Sequence, residues 1–200
     1  MVHSAKCQIY ISSGVSINSA SVEVANLNTK ILEKYRATKI APDFINILVA
    51  LNVSSRFSIK SGFYTHSEYF KYTTYHNFYT GNPKIHKYTV ESTSRNFDFP
   101  LLISFSDKAD RINISAGPYI GIALFTFSNG RLKDIDNGLD LSLSVGSEKW
   151  KFTCYSLVGC TNLVKSSLSN EPVESREKAR ASTFGLNITR IIHSKKSGSS

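Results

Sequence analysis

Between residues 64 and 88 the chain carries Tyr64, Tyr69, Tyr72, Tyr75, Tyr79 and Tyr88, with Phe70 and Phe78 among them. His66, His76 and His86 fall in the same stretch. Aromatic faces stack on sugar rings and bases, and imidazoles take metal ions, so this is the strongest stretch for a binding loop. The histidines, however, are spaced by ten residues, which matches no ligand pattern of a metal site. The simpler expectation is an interfacial aromatic girdle that continues into an outer loop. Ser67 beside His66 offers a nucleophile and a base, as in an outer-membrane hydrolase or acyltransferase, but nothing in the sequence orients the pair. No Walker loop, HExxH or GxSxG is present. No catalytic, cofactor-binding or metal-binding residue is therefore assigned, and no cofactor is expected.

Cys7, Cys154 and Cys160 are an odd number without a CxxC spacing, which argues against a zinc ribbon or a disulfide scaffold. On one strand Cys154 and Cys160 would stand roughly 20 Å apart, too far to bridge. Asn52, Asn113 and Asn187 begin glycosylation sequons by pattern, yet all three fall on faces expected to point inward and are read as chance.

Lys and Arg number 24 against 15 Asp and Glu, a net charge of +9. With many aromatics this balance raises nucleic-acid binding. The cations are spread along the chain, no RNP-like or helix-turn-helix pattern occurs, and no nucleic-acid partner is expected. A basic rim facing outer-membrane lipids and lipopolysaccharide is the expected use of the charge, with an unidentified protein partner left open. Lys60, Asp98 and Asp140 fall on inward faces and are expected to form a buried ion-pair network that plugs the interior.

The elements that must position these residues follow from period. No apolar stretch approaches the 18 or so residues of a membrane helix. Alternation with period two dominates instead. Phe97, Phe99, Leu101, Ile103 and Phe105 alternate with Asp98, Pro100, Leu102 and Ser104. Ile112, Ile114, Ala116, Pro118, Ile120, Ile122 and Leu124 alternate with Asn113, Ser115, Gly117, Tyr119, Gly121 and Ala123. Similar runs cover 8–17, 44–53, 57–65, 139–145 and 184–192, and a further β-prone run, 152–163, has no clear apolar face. That makes eight strands, with a weak helical pattern over 27–35 from Leu27, Ile31, Leu32 and Tyr35.

Connections alternate between short (54–56, 107–111, 147–151) and long (18–42, 71–95, 128–138, 165–179). An up-and-down outer-membrane meander has this rhythm, with tight turns on one rim and long loops on the other. The non-apolar faces carry Gly, Ser, Asn and Thr rather than Lys and Glu, as the interior of a small membrane barrel does. The expected fold is all-β, an eight-stranded antiparallel up-and-down transmembrane β-barrel, too narrow for an aqueous pore. The alternative is a soluble lipocalin-like barrel binding a small apolar ligand, in which the apolar faces would point inward.

Asp98-Phe99-Pro100-Leu101-Leu102-Ile103, a short turn, then Ile114-Ser115-Ala116-Gly117-Pro118-Tyr119-Ile120-Gly121 resembles the PorT-type outer-membrane β-barrel family of Gram-negative bacteria. Ser61-Gly62-Phe63-Tyr64 is similar to that family's preceding strand, and residues 155–162 to its penultimate one. The resemblance implies export, insertion in the cell outer membrane, and no catalytic residues. It divides the chain into an N-terminal segment 1–7 that lacks an apolar signal-peptide core, a barrel over 8–192, and a polar tail 193–200. The expected function is structural or binding, not enzymatic.

Overall fold

The computed structural model describes residues 7–26, 32–77, 85–127, 135–161 and 175–193. Eight strands run in chain order: β1 (Cys7–Asn26), β2 (Leu32–Asn52), β3 (Phe57–Asn77), β4 (Ile85–Ser106), β5 (Ile112–Phe127), β6 (Ile135–Gly146), β7 (Trp150–Gly159) and β8 (Ser175–His193). Each pairs antiparallel with its neighbour, and β1 closes on β8 from Gln8↔His193 to Asn26↔Ser175. The result is a closed eight-stranded barrel, in which the seam between β2 and β3 is the shortest.

Alternation becomes orientation in every strand. On β4, Phe99, Leu101, Ile103 and Phe105 point out while Asp98, Leu102 and Ser104 are buried inside. On β5, Ile112, Ile114, Ile120 and Ile122 point out over buried Asn113, Ser115 and Tyr119. Ile103 is 69% exposed and Phe152 72%, whereas Asp98 and Asp140 are 0% exposed. The soluble lipocalin-like alternative required the reverse, with apolar residues lining a calyx; most of the buried side chains are instead tyrosine or polar, with Phe70, Leu102 and Leu157 packed among them.

Aromatic pairs mark both edges of the outward belt. Phe57 and Phe105 pack at 5.2 Å near one rim, and Phe63 and Phe97 meet edge-on at 5.7 Å toward the other. Trp150 sits at the lower rim beneath the Arg190 guanidinium, 5.6 Å away. That contact explains how the one cation on the outer face of β8's apolar run is tolerated.

The short turns are held by side-chain caps. Ser54 Oγ accepts from the amides of Arg56 and Phe57, and Ser147 Oγ from those of Lys149 and Trp150. Asp107 accepts from the amides of Arg111 and Ile112 at 2.6 and 2.9 Å. Those bonds, that of Ile112 foremost, hold its carboxyl below the usual carboxylate range. Asp110 in the same turn takes φ +50°, a conformation that short polar side chains tolerate.

The structure corrects the expected loops. Most of 18–42 and 71–95 is strand: β1 pairs with β2 as far as Ala25↔Leu32, and β3 with β4 as far as Asn77↔Ile85. The helical pattern over 27–35 is overturned for Leu32 to Tyr35, which lie in β2; residues 27–31 fall outside the described residues. The strand expected over 152–163 runs from Trp150 to Gly159, with Phe152 and Val158 outward and Lys151, Tyr155 and Leu157 inward.

Candidate functional site

Two places bring polar groups together: the lumen and the upper wall.

The lower lumen is organised by two buried lysines. Lys60, on β3, donates to Asn113 Oδ1 at 2.6 Å and Ser115 Oγ at 3.2 Å, and its ammonium lies 4.6 Å from the Tyr10 ring centre. Lys151, on β7, donates to Asp110 Oδ1 at 2.8 Å, so the β4–β5 turn reaches across to meet it. Ser104 also donates to Asn113, at 2.8 Å. These groups replace water for one another, which is the condition for burying them.

The middle of the lumen is a tyrosine layer. Tyr64 and Tyr155 stack at 5.6 Å with 16° between their planes. The Tyr155 hydroxyl donates to Asp43, and Tyr119 donates to Asp136 at 2.8 Å. Room for the Tyr155 ring comes from Gly185 on β8, where an added Cβ would lie 2.0 Å from the ring. Leu157 and the half-buried Leu48 complete the plug.

Above it, His66 sits between two carboxylates. Its Nδ1 is 2.6 Å from Asp98 Oδ2, off the line of a well-aligned hydrogen bond, and its Nε2 is 3.5 Å from Glu68. Asp140 faces Tyr64, with Asp98 and Lys60 as charged neighbours, and neither of its oxygens makes a hydrogen bond of normal geometry among the described residues.

Several sequence expectations change here. Lys60, Asp98 and Asp140 are all buried inward, yet they do not pair with each other: Lys60 bonds to Asn113 and Ser115, and Asp98 meets His66. The reason is height, since Lys60 lies six residues below His66 on the same strand and Asp98 faces Tyr64, not Lys60, across the β3–β4 ladder. Ser67 and His66 point to opposite faces of β3, so they form no nucleophile–base pair. Tyr64 and Phe70 are buried on the inward face of β3 and do not belong to a girdle, whereas Tyr69 is on the outer face. The side chains of Tyr72, Tyr75, His76, Phe78, Tyr79, His86 and Tyr88 lie outside the described residues. Among the described residues no group of three or more His, Cys, Asp or Glu is placed to hold a metal ion. Asn113 and Asn187 are buried in the lumen, where no glycan fits.

The upper wall was not anticipated. Strands β2 and β3 pair only over the six positions from Ile47↔Phe63 to Asn52↔Ser58, with Thr65 still bonded to Ile45 and Asn46 above them. Beyond that they part. A cleft of about 420 Å³ opens between them, lined by Tyr35, Arg36, Thr38, Tyr69, Lys71 and Thr89 among others. Lys39 bridges it by resting 4.9 Å above the Tyr69 ring. Farther round, Glu23 is 3.0 Å from Lys34. The Lys34 hydrogen bond and charge, then the charges of Lys178 and Arg180, hold the Glu23 carboxyl below its usual range.

No family model matches the sequence, and no curated protein matches it. Among solved structures the chain is similar to Ail, the attachment invasion locus protein of Yersinia pestis, crystallised with the heparin analogue sucrose octasulfate. The identity is 12% over 92% of this chain and 99% of that one, with a TM-score of 0.43. A FadL homologue of Pseudomonas aeruginosa is 7% identical over 90% of each chain, with a TM-score of 0.28. The Salmonella secretin InvG is 11% identical over 98% of this chain and 63% of that one, with a TM-score of 0.27. Likenesses this distant add nothing to the barrel seen directly.

Proposed function

We propose that the chain is an integral outer-membrane β-barrel of a Gram-negative bacterium, structural or binding in role and without catalysis. One observation carries this reading: the inversion of its faces. Large apolar side chains ring the outside on all eight strands, while Asp, Asn, Ser, Thr, Lys and Tyr fill the middle. A continuous greasy ring far exceeds the few hundred Å² of apolar patch that a water-soluble monomer tolerates. Acyl chains are the solvent that such a surface fits, and a closed barrel is the all-strand structure that can sit in them with its backbone satisfied. The stacked tyrosines and buried lysines occupy the lumen, so the interior is a plug and not a conduit.

The PorT-type assignment is narrower and rests on its motifs. Gly117 lets β5 approach β4 so closely that a Cβ there would stand 2.0 Å from the Leu101 carbonyl oxygen. Two residues on, Tyr119 reaches Asp136. Ala-Gly-Pro-Tyr thus has a packing reason in this barrel. Outer-membrane lipids and lipopolysaccharide are the partners the outer surface fits; a protein partner would have to be met at the upper wall, and nucleic acid is not among the proposed ligands.

Fractionation of expressing cells tests the placement. The chain should be recovered with outer membranes and require detergent for release. Recovery in the soluble fraction without detergent would refute it.

A further inference from the structure

The β8–β1–β2 wall is layered in register above the apolar belt. Ile17 on β1 pairs with Ile40 on β2 and Phe184 on β8, all three outward and exposed. The next outward row is Thr38, Ser19 and Ser182. The row above that is Arg36, Ser21 and Arg180, and the last is Lys34, Glu23 and Lys178. Rows repeat about every 6.7 Å along the strands, and neighbouring strands lie about 4.8 Å apart. The sequence therefore passes from grease to hydroxyls to guanidiniums within about 14 Å of strand.

We propose that this wall is a binding site for the phosphorylated headgroup of an outer-leaflet glycolipid, with Arg36 and Arg180 closing on the phosphate over Ser21. The inference rests on the outer-membrane reading and gives it a ligand site. Charge supports it: four cations, Lys34, Arg36, Lys178 and Arg180, surround the one carboxylate of Glu23, which is already 3.0 Å from Lys34. Geometry supports it too. Arg36 Nε donates to Ser19 Oγ at 3.0 Å, which turns the guanidinium toward the hydroxyl row and the belt. Ser21 between the arginines is small and exposed, so it leaves a floor on which a phosphate can rest. Planar guanidiniums suit phosphate oxygens because each offers paired donors. Continuity with the belt selects a lipid over a free anion. Acyl chains laid against Phe184, Ile17 and Ile40 place a glycosyl hydroxyl at the Ser182–Ser19–Thr38 row and the phosphate one row higher. A soluble polyanion would gain nothing from the lower two rows.

The experiment uses the full chain refolded in dodecylmaltoside micelles, with native mass spectrometry as the readout. Diphosphoryl lipid A, dephosphorylated lipid A and inorganic phosphate are the probes. The wild type should retain diphosphoryl lipid A. R36Q/R180Q should weaken it about thirtyfold, roughly fivefold for each arginine beside an anionic surface. Removing the lipid phosphates should have a comparable effect on the wild type, and K108Q/K149Q on the opposite rim should have none. Retention unchanged in R36Q/R180Q, or lost equally in K108Q/K149Q, overturns the site. Displacement of the lipid by millimolar inorganic phosphate overturns the lipid as its occupant. Heat-modifiable migration and insertion into neutral phosphatidylcholine vesicles are measured alongside. A protein that inserts but does not bind sinks this inference alone, whereas one that fails to insert sinks the membrane reading.

Discussion

Asp110→Asn isolates the value of a charge beneath the barrel. The Lys151 side chain is 0% exposed and its ammonium is 2.8 Å from Asp110 Oδ1, while the Asp110 side chain is 29% exposed. Asparagine keeps the size of the side chain and tolerates φ +50°, so the turn is preserved and the charge alone is removed. Breaking a fully buried ion pair costs about 3–5 kcal/mol. A hydrogen bond to a charged group contributes about 1.5–3 kcal/mol. Because solvent reaches Asp110, screening lowers its share, and the expected loss is about 2 kcal/mol, roughly thirtyfold in the folding equilibrium. Adding Lys151→Met should recover most of that loss, because the uncompensated ammonium is gone and an apolar chain of similar length takes its place. The assay is reversible urea unfolding in phospholipid vesicles, followed by fluorescence of Trp150, the chain's one tryptophan and the residue next to Lys151. D110N within about 0.5 kcal/mol of wild type would refute the reasoning, as would a double variant no better than D110N.

Three further outcomes follow from the same geometry. Leu101→Arg, in the middle of β4's outward run, should cost about 2–4 kcal/mol in bilayers, and Ile17→Arg at the belt's upper edge about 0–1 kcal/mol; equal costs in vesicle unfolding would contradict the belt. Gly185→Ala drives a methyl into the Tyr155 ring and should cost about 1–3 kcal/mol by overpacking, much less in a Tyr155→Ala background, as a double-mutant cycle will show. The folded-state pKa of Asp107 is lowered, so its contribution is complete above the usual carboxylate range and vanishes as pH falls through the lowered value. The stability difference between wild type and Asp107→Asn, measured in vesicles from pH 6 downward, should accordingly shrink at the acid end, and a difference that grew on acidification would be incompatible with the cap.

Across the apolar belt the fold was legible because one face of each strand carries large exposed apolar side chains and the other lines a packed lumen. The run from Ile112 to Ile122 shows this alternation without a break, and every outward isoleucine in it could be assigned. Above the belt that contrast ends. Around Ser19, Ala20, Ser21, Val22 and Glu23 the outer face meets water, small residues sit on both sides, and the ladder to β2 and β8 read as a loop. Strand 150–159 hid its orientation for another reason: it buries Tyr155 and Leu157 while exposing Phe152 and Val158, so both faces are apolar. The lumen was half visible. Tyr119 stood on an inward face, but its partner Asp136 is set by the register Gly121↔Asp136, which no local pattern encodes. The same holds for Asp43, which fell just below a stretch read as a loop yet receives the Tyr155 hydroxyl from across the barrel.

The six-pair junction between β2 and β3 has a mechanical meaning. A ring of staves yields at its shortest joint, and every other seam in this ring is bonded over a longer run. Under load, or during the last moment of assembly, the wall should breach and reseal along that line, with the β3–β4 hairpin swinging away as one flap.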